Sequence, residues 1–205
     1  GEQPAGQLTR LACARHMRDL QEGAARGLIF DAPAAKRALA FFKVLHHSKG
    51  EWAGQVFDLQ PWEVFIIASL FGWKRADGLR RFRRAFISVP RKQGKSTLCA
   101  GIGLYLLIAD SEPGAEVFTA ATKRDQARIV HGEAVRMVKA SPILKKEIGI
   151  FKDNLHVLAT HSKYEPLGAD SDTMDGLNIS GAVIDEVHAH KTRGIVDALD
   201  TATSA

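Results

Sequence analysis

The stretch Pro90-Arg91-Lys92-Gln93-Gly94-Lys95-Ser96-Thr97 (PRKQGKST, residues 90–97) decides how the rest of the chain is read. Its second half has what a phosphate-binding loop needs. Gly94 lets backbone N–H groups come close to an anion, Lys95 can reach terminal phosphates, and Ser96 or Thr97 offers a hydroxyl to a divalent cation. Its first half departs from the usual spacing. Val89 stands five residues before Gly94, where glycine is usual, and Pro90 follows it. Proline holds φ near −65° and can supply a rigid exit where glycine would supply a flexible one. The flanks fit as well. The apolar run Ala85-Phe86-Ile87-Ser88-Val89 predicts a buried strand before the loop, and Leu98 to Ala109 predicts a buried helix after it. Arg91, Lys92, Gln93, Gly94, Lys95, Ser96 and Thr97 are therefore candidate phosphate ligands. Arg91 has two readings: an arginine that touches the terminal phosphate, or a charge that faces phosphate or solvent without a specific role.

Phosphate chemistry needs a second half: a carboxylate for the metal and a group that orients water. Gly181-Ala182-Val183-Ile184-Asp185-Glu186 predicts a strand ending in two acids. Asp185 is the candidate magnesium ligand together with Ser96, and Glu186 the candidate that polarises water. Read alone, the two acids would simply cap the next helix; read with residues 90–97, they complete a site. Upstream, Gln60 and Trp62 in Phe57-Asp58-Leu59-Gln60-Pro61-Trp62-Glu63 could supply an amide and a ring to an adenine pocket, or Trp62 could be an ordinary core aromatic. Downstream, Thr201, Ala202 and Thr203 could lie at the tip of the next strand and sense loss of a phosphate, or form a frayed terminus.

The rest of the chain alternates. Glu116 to Ala120 and Leu155 to Leu158 predict further strands. Thr122-Lys123-Arg124-Asp125 resembles a capping box, opening a helix with Ala127, Val130, Ala134 and Val138 on one face. Strand–helix alternation predicts an α/β fold with a mostly parallel sheet flanked by helices. Residues 1–55 are Ala-rich and predict an N-terminal helical segment, with Asp31 capping a helix that carries Pro33 in its first turn; residues 56–205 form the predicted core.

The chain has 205 residues, 45% hydrophobic and 25% charged, with a formal charge of +5. That describes a globular protein with a mild preference for polyanionic partners. Cys13 and Cys99 match neither a disulfide framework nor a zinc site. No N-terminal stretch reads as a signal peptide. The longest apolar run is shorter than the about 20 residues a membrane span requires, so no membrane is expected.

Taken together, VPRKQGKST, TKRDQA (122–127), DGLNISG (175–181), VIDEVHAH (183–190) and DTATSA (200–205) resemble the ATPase domain of bacteriophage terminase large subunits, from about residue 55 onward. The resemblance implies a RecA-like (ASCE) P-loop fold that uses ATP and Mg²⁺. It implies a homo-oligomeric, pentameric ring on the portal protein, a small terminase subunit as partner, double-stranded DNA as cargo, and the cytoplasm of an infected bacterial host. It puts Lys95, Ser96, Asp185 and Glu186 on phosphate, metal and water-activating positions, and Thr201-Ala202-Thr203 on a coupling motif. Two departures stand out. The family often carries Gln directly after Pro-Trp, where this chain has Glu63. No arginine between Lys163 and Gly181 matches the family's finger, which leaves Arg91, Arg128 and Arg193. A C-terminal nuclease is not expected within this sequence, which reads as one domain of a longer chain. Two other readings stay open. Asp185-Glu186-Val187-His188 also fits a superfamily 2 helicase-like translocase. The basic stretch Lys74, Arg75, Arg80, Arg81, Arg83, Arg84 fits a nucleic-acid-binding module without turnover, or a plain solvated face.

Overall fold

A computed structural model describes residues 5–168, 179–190 and 193–202. Its contacts separate two units, each made of two chain segments: residues 1–40 with 59–88, and residues 41–58 with 89–205. The division expected at 55/56 runs along the chain, whereas each of these units takes up the chain twice.

In the first unit, α1 (Gln7–Glu22) leads into β1 (Leu28–Phe30), α2 (Ala32–Phe42), α3 (Pro61–Gly72) and β2 (Trp73–Arg75). Asp31 caps α2 as expected: its Oδ1 accepts the Ala34 N–H at 2.9 Å. Pro61 sits in the first turn of α3, where a missing N–H costs nothing, and Glu63 Oε2 accepts the Gln60 N–H at 2.8 Å to close a capping box. β1 and β2 pair antiparallel, Phe30 opposite Trp73. Trp73 is buried and donates its indole N–H to His16 Nδ1 at 3.0 Å, with Phe30 and Phe65 edge-on to the same imidazole. Glycine is required at position 72, because a Cβ there would come within 2.7 Å of the Phe30 ring. Under this cluster lies the Asp19 carboxylate, buried and paired with Arg26 and Arg81. Several basic residues of 74–84 thus have structural work. Arg81 also lies over the Trp73 and Phe82 rings, Arg80 lies over Phe71, and Arg75 pairs with Asp77 at 2.6 Å.

The second unit carries α4 (Lys95–Ile108), β3 (Glu116–Ala121), α5 (Arg124–Ala140), α6 (Leu144–Glu147), β4 (Gly149–Ile150), β5 (Leu155–Val157), β6 (Ser162–Gly168), β7 (Ile179–Ile184) and α7 (Gly194–Ala202). The sheet order is β4-β5-β6-β3-β7. β3 runs parallel to both β6 and β7, but β4, β5 and β6 pair antiparallel. The sheet is therefore mixed, and the mostly parallel expectation is corrected. The cause is the short connection after β5: four residues can turn back but cannot cross over. β6 alternates buried and half-exposed residues over Ser162-Lys163-Tyr164-Glu165-Pro166 as a strand does, but the proline and the single large apolar residue of that stretch, Tyr164, hide the pattern in the sequence. Pro166 is tolerated there because β5 pairs only as far as Tyr164, so the missing N–H removes no bond on that side.

α4 and α5 cover one face of this sheet and α7 the other. On the first face, Ala127, Val130, Ala134 and Val138 are all fully buried, as the helical stripe predicts. On the second, Ile195 and Leu199 of α7 close over Phe118, Ala120 and Ile179.

Three local expectations fail. Residues 85–89 form no strand and belong to neither sheet, and Phe86 is 79% exposed. An apolar run becomes a strand only where a second strand completes its ladder. The capping box at 122–125 is absent: α5 starts at Arg124 with Lys123 extended before it, and the Thr122 hydroxyl donates to Gln126 Oε1 instead. Thr201 and Ala202 are in α7 and not at a strand tip, with the Thr201 hydroxyl donating to the Asp197 carbonyl at 2.9 Å. Thr203 lies outside the described residues.

Candidate active site

The loop before α4 is exposed from Pro90 to Gly94. Lys92 (φ 65°) and Gly94 (φ 75°) are both left-handed. Such alternation turns successive N–H groups toward one side of the chain, the geometry of an anion-binding concavity. The Gly94 carbonyl accepts the Leu98 N–H at 2.9 Å, and no side chain caps the helix start, so the first N–H groups of α4 stay available. Lys95 is the first helical residue; Ser96 and Thr97 follow, half-buried.

The acids come from β7. The Asp185 N–H donates to the Ala120 carbonyl at 3.0 Å, which extends the β3–β7 ladder by one residue and fixes Asp185 at the carboxyl end of the sheet. Glu186 then turns left-handed (φ 51°), and its N–H donates to Asp185 Oδ1 at 2.9 Å. Lys95 closes the arrangement. Its Nζ lies 2.9 Å from Asp185 Oδ1 and 2.9 Å from Glu186 Oε1. The hydrogen bond to Asp185 raises the Lys95 pKa; burial opposes this, and Glu186 adds to it. The Lys95 hydrogen bond and charge hold Glu186 below the usual carboxylate range, with lesser help from His188 and Arg91. Burial pushes the Cys99 thiol, one turn along α4, up to about 12, so it stays neutral beside this cluster.

The structure thus brings Lys95, Asp185 and Glu186 together and keeps Arg91 within electrostatic reach of Glu186. Gln60 and Trp62 lie in the first unit, at the start of α3, where Glu63 is engaged in the cap. Of the other finger candidates, Arg128 pairs with Asp125 and Asp153, and Arg193 with Asp197. His188 carried no role in the sequence reading; its Nε2 lies 3.3 Å from Glu186 Oε2. The signal for it was its position two residues past Glu186, readable only once the turn between them is known.

No group of three or more His, Cys, Asp or Glu that could hold a metal occurs among the described residues. Mg²⁺ does not need one: it takes one or two carboxylates and completes its shell with water and phosphate oxygens. The Lys95 ammonium already occupies a cation's position between Asp185 and Glu186, and that donor set, with the Ser96 hydroxyl nearby in sequence, fits Mg²⁺ held by Asp185 and Ser96.

A family model for the terminase large subunit ATPase domain matches residues 61–204. The chain belongs to this family. The match places Asp185-Glu186-Val187-His188 in a terminase ATPase domain and not in a superfamily 2 helicase. The large terminase subunit of Enterobacteria phage HK97 is 30% identical over 164 residues, covering 77% of this chain and 31% of that protein. The crystal structure of the HK97 bacteriophage large terminase superposes with a TM-score of 0.70 at 27% identity, over 83% of this chain and 35% of that one. This terminase ATPase domain therefore spans about a third of the length of the relatives it matches. Among the described residues, no helix is long and apolar enough to cross a membrane.

Proposed function

We propose that this domain binds and hydrolyses ATP with Mg²⁺ and that hydrolysis drives double-stranded DNA into a viral procapsid. The single observation that supports the reading most is the convergence of Lys95, Asp185 and Glu186 at the start of α4. ATP lies with its β- and γ-phosphates over the left-handed turn of residues 92–94 and the first N–H groups of α4. Lys95 leaves the carboxylates for the phosphates. Asp185 and Ser96 hold Mg²⁺, which neutralises charge on the outer phosphates. Glu186, freed on its Oε1 side, orients water for in-line attack. Arg91, from the loop itself, adds positive charge at the leaving phosphate. Thr201, Ala202 and Thr203 relay phosphate loss. The domain works as part of a homo-oligomeric, pentameric ring on the portal, with a small terminase subunit delivering DNA, in the cytoplasm of an infected bacterium.

The test is a pair of substitutions. Lys95→Ala abolishes nucleotide binding, and Glu186→Gln keeps ATP bound while stopping turnover. A full ATPase rate in Glu186→Gln removes that residue from its role. A wild-type protein that binds DNA but hydrolyses no ATP, with DNA and Mg²⁺ present, returns the site to a passive phosphate-binding loop.

A further inference from the structure

We propose that His188 is a positioning residue for Glu186, holding the carboxylate in its working orientation once Lys95 has moved to the phosphates. This rests on the hydrolytic reading above. The left-handed backbone at Glu186 folds the chain back on itself, and the Ala189 N–H donates to the Glu186 carbonyl at 2.8 Å. That single turn carries the imidazole to the carboxylate. The two oxygens of Glu186 then have different neighbours: Oε1 faces Lys95 Nζ at 2.9 Å, and Oε2 faces His188 Nε2 at 3.3 Å.

Among the described residues, the charged groups around Glu186 are Lys95 from α4, Asp185 just after β7 and Arg91 from the loop. Asp185 carries the same charge, and of Glu186 it engages the backbone N–H and not the carboxylate. Lys95 and Arg91 both stand on the phosphate-binding loop or its helix, and bound phosphates draw them away from the acid. His188 is the neighbour that nucleotide does not recruit. A neutral imidazole with its proton on Nε2 presents an N–H to Oε2, as a charged one does, so either form offers the carboxylate a donor. Orientation is worth the device: a misplacement of about 1 Å at a reacting group can cost roughly 100-fold in rate. The His188 side chain is 80% exposed, so substituting it removes the contact without opening a core.

The experiment compares wild type, His188→Ala and His188→Gln by single-turnover ATP hydrolysis and by nucleotide titration. His188→Ala is expected to slow hydrolysis about 10-fold with ATP affinity unchanged. His188→Gln, whose amide nitrogen can reach the same oxygen, is expected to restore most of the rate. A full rate in His188→Ala, or equal losses in the Ala and Gln variants, overturns the proposal. If the wild type turns over no ATP, the hydrolytic reading fails by itself. The contact is then judged by the ¹⁵N shifts of the His188 ring: loss of the Nε2–H tautomer in Glu186→Gln supports it, and an unchanged ring overturns it.

Discussion

Lys95 and Glu186, 91 residues apart in the chain, form an ion pair of 2.9 Å across the carboxyl end of the sheet. The pair holds the lysine on the acids, so an anion that binds the loop must compete with them for it. The one lysine charge balances only one of the two acids it contacts.

The first prediction follows from that competition. Glu186→Gln removes one of the two carboxylates that hold Lys95. A partly exposed ion pair is worth about 0.5–1 kcal/mol, so ATP affinity without metal should rise about two- to fivefold. Titration with a fluorescent nucleotide in EDTA measures it. Unchanged or weaker binding would show that the pair does not compete with phosphate.

Asp19 is predicted to anchor the first unit. Burial alone would raise its pKa, but hydrogen bonds from Arg26 and Arg81 outweigh that and hold it below its ordinary value. A depressed carboxylate contributes stability that is complete above its unfolded pKa, about 3.9, and is lost as pH falls through the folded value. Asp19→Ala should cost about 2 kcal/mol at pH 7 and flatten the acid limb of the stability profile, read by urea denaturation between pH 7 and pH 3. Equal acid sensitivity in both proteins would assign the loss elsewhere.

His131 makes the complementary case. It is buried on α5, with Nε2 3.0 Å from the Tyr164 carbonyl and its ring edge-on to Tyr164. Burial lowers its pKa, against the Tyr164 hydrogen bond and the charges of Asp153 and Glu165. The fold therefore favours the neutral ring. Its contribution is complete above the unfolded pKa of about 6.5 and declines as pH falls through the lower folded value. The denaturation midpoint of the wild type should drop between pH 7.5 and 5.5 by more than that of His131→Gln. Parallel drops would count against the assignment.

Two glycines on neighbouring helices should respond oppositely to alanine. At Gly103 on α4 a Cβ would come 2.7 Å from the Tyr164 ring and hydroxyl, and overpacking of this kind costs about 1–3 kcal/mol. At Gly132 on α5 the nearest atom is Arg136 Nη1 at 3.5 Å, the end of a flexible side chain. There alanine should add about 0.5–1 kcal/mol by restricting the unfolded chain. Thermal unfolding of the two variants decides; a stabilised Gly103→Ala would mean that the Tyr164 ring moves aside easily.

What the sequence determined by itself is everything carried by short-range pattern. The buried stripe of α5 and the Asp31 cap were legible because their causes lie within a few residues. So was the choice of Gly94-Lys95-Ser96 and Asp185-Glu186 as candidates, since residue type alone limits what can cradle a phosphate or hold a cation. The tertiary structure decided the rest. Whether Ala85–Val89 pairs, whether Ser162–Gly168 is a strand, and which way β5 runs depend on a partner edge that no local window contains. The contact of His188 with Glu186 depends on a left-handed turn that residue identities do not announce. The meeting of Lys95 with two acids 90 and 91 residues away in the chain depends on β3 and β7 lying side by side. Strand pairing and long-range ion pairs are properties of two chain segments at once, whereas a cap or a helical face belongs to one.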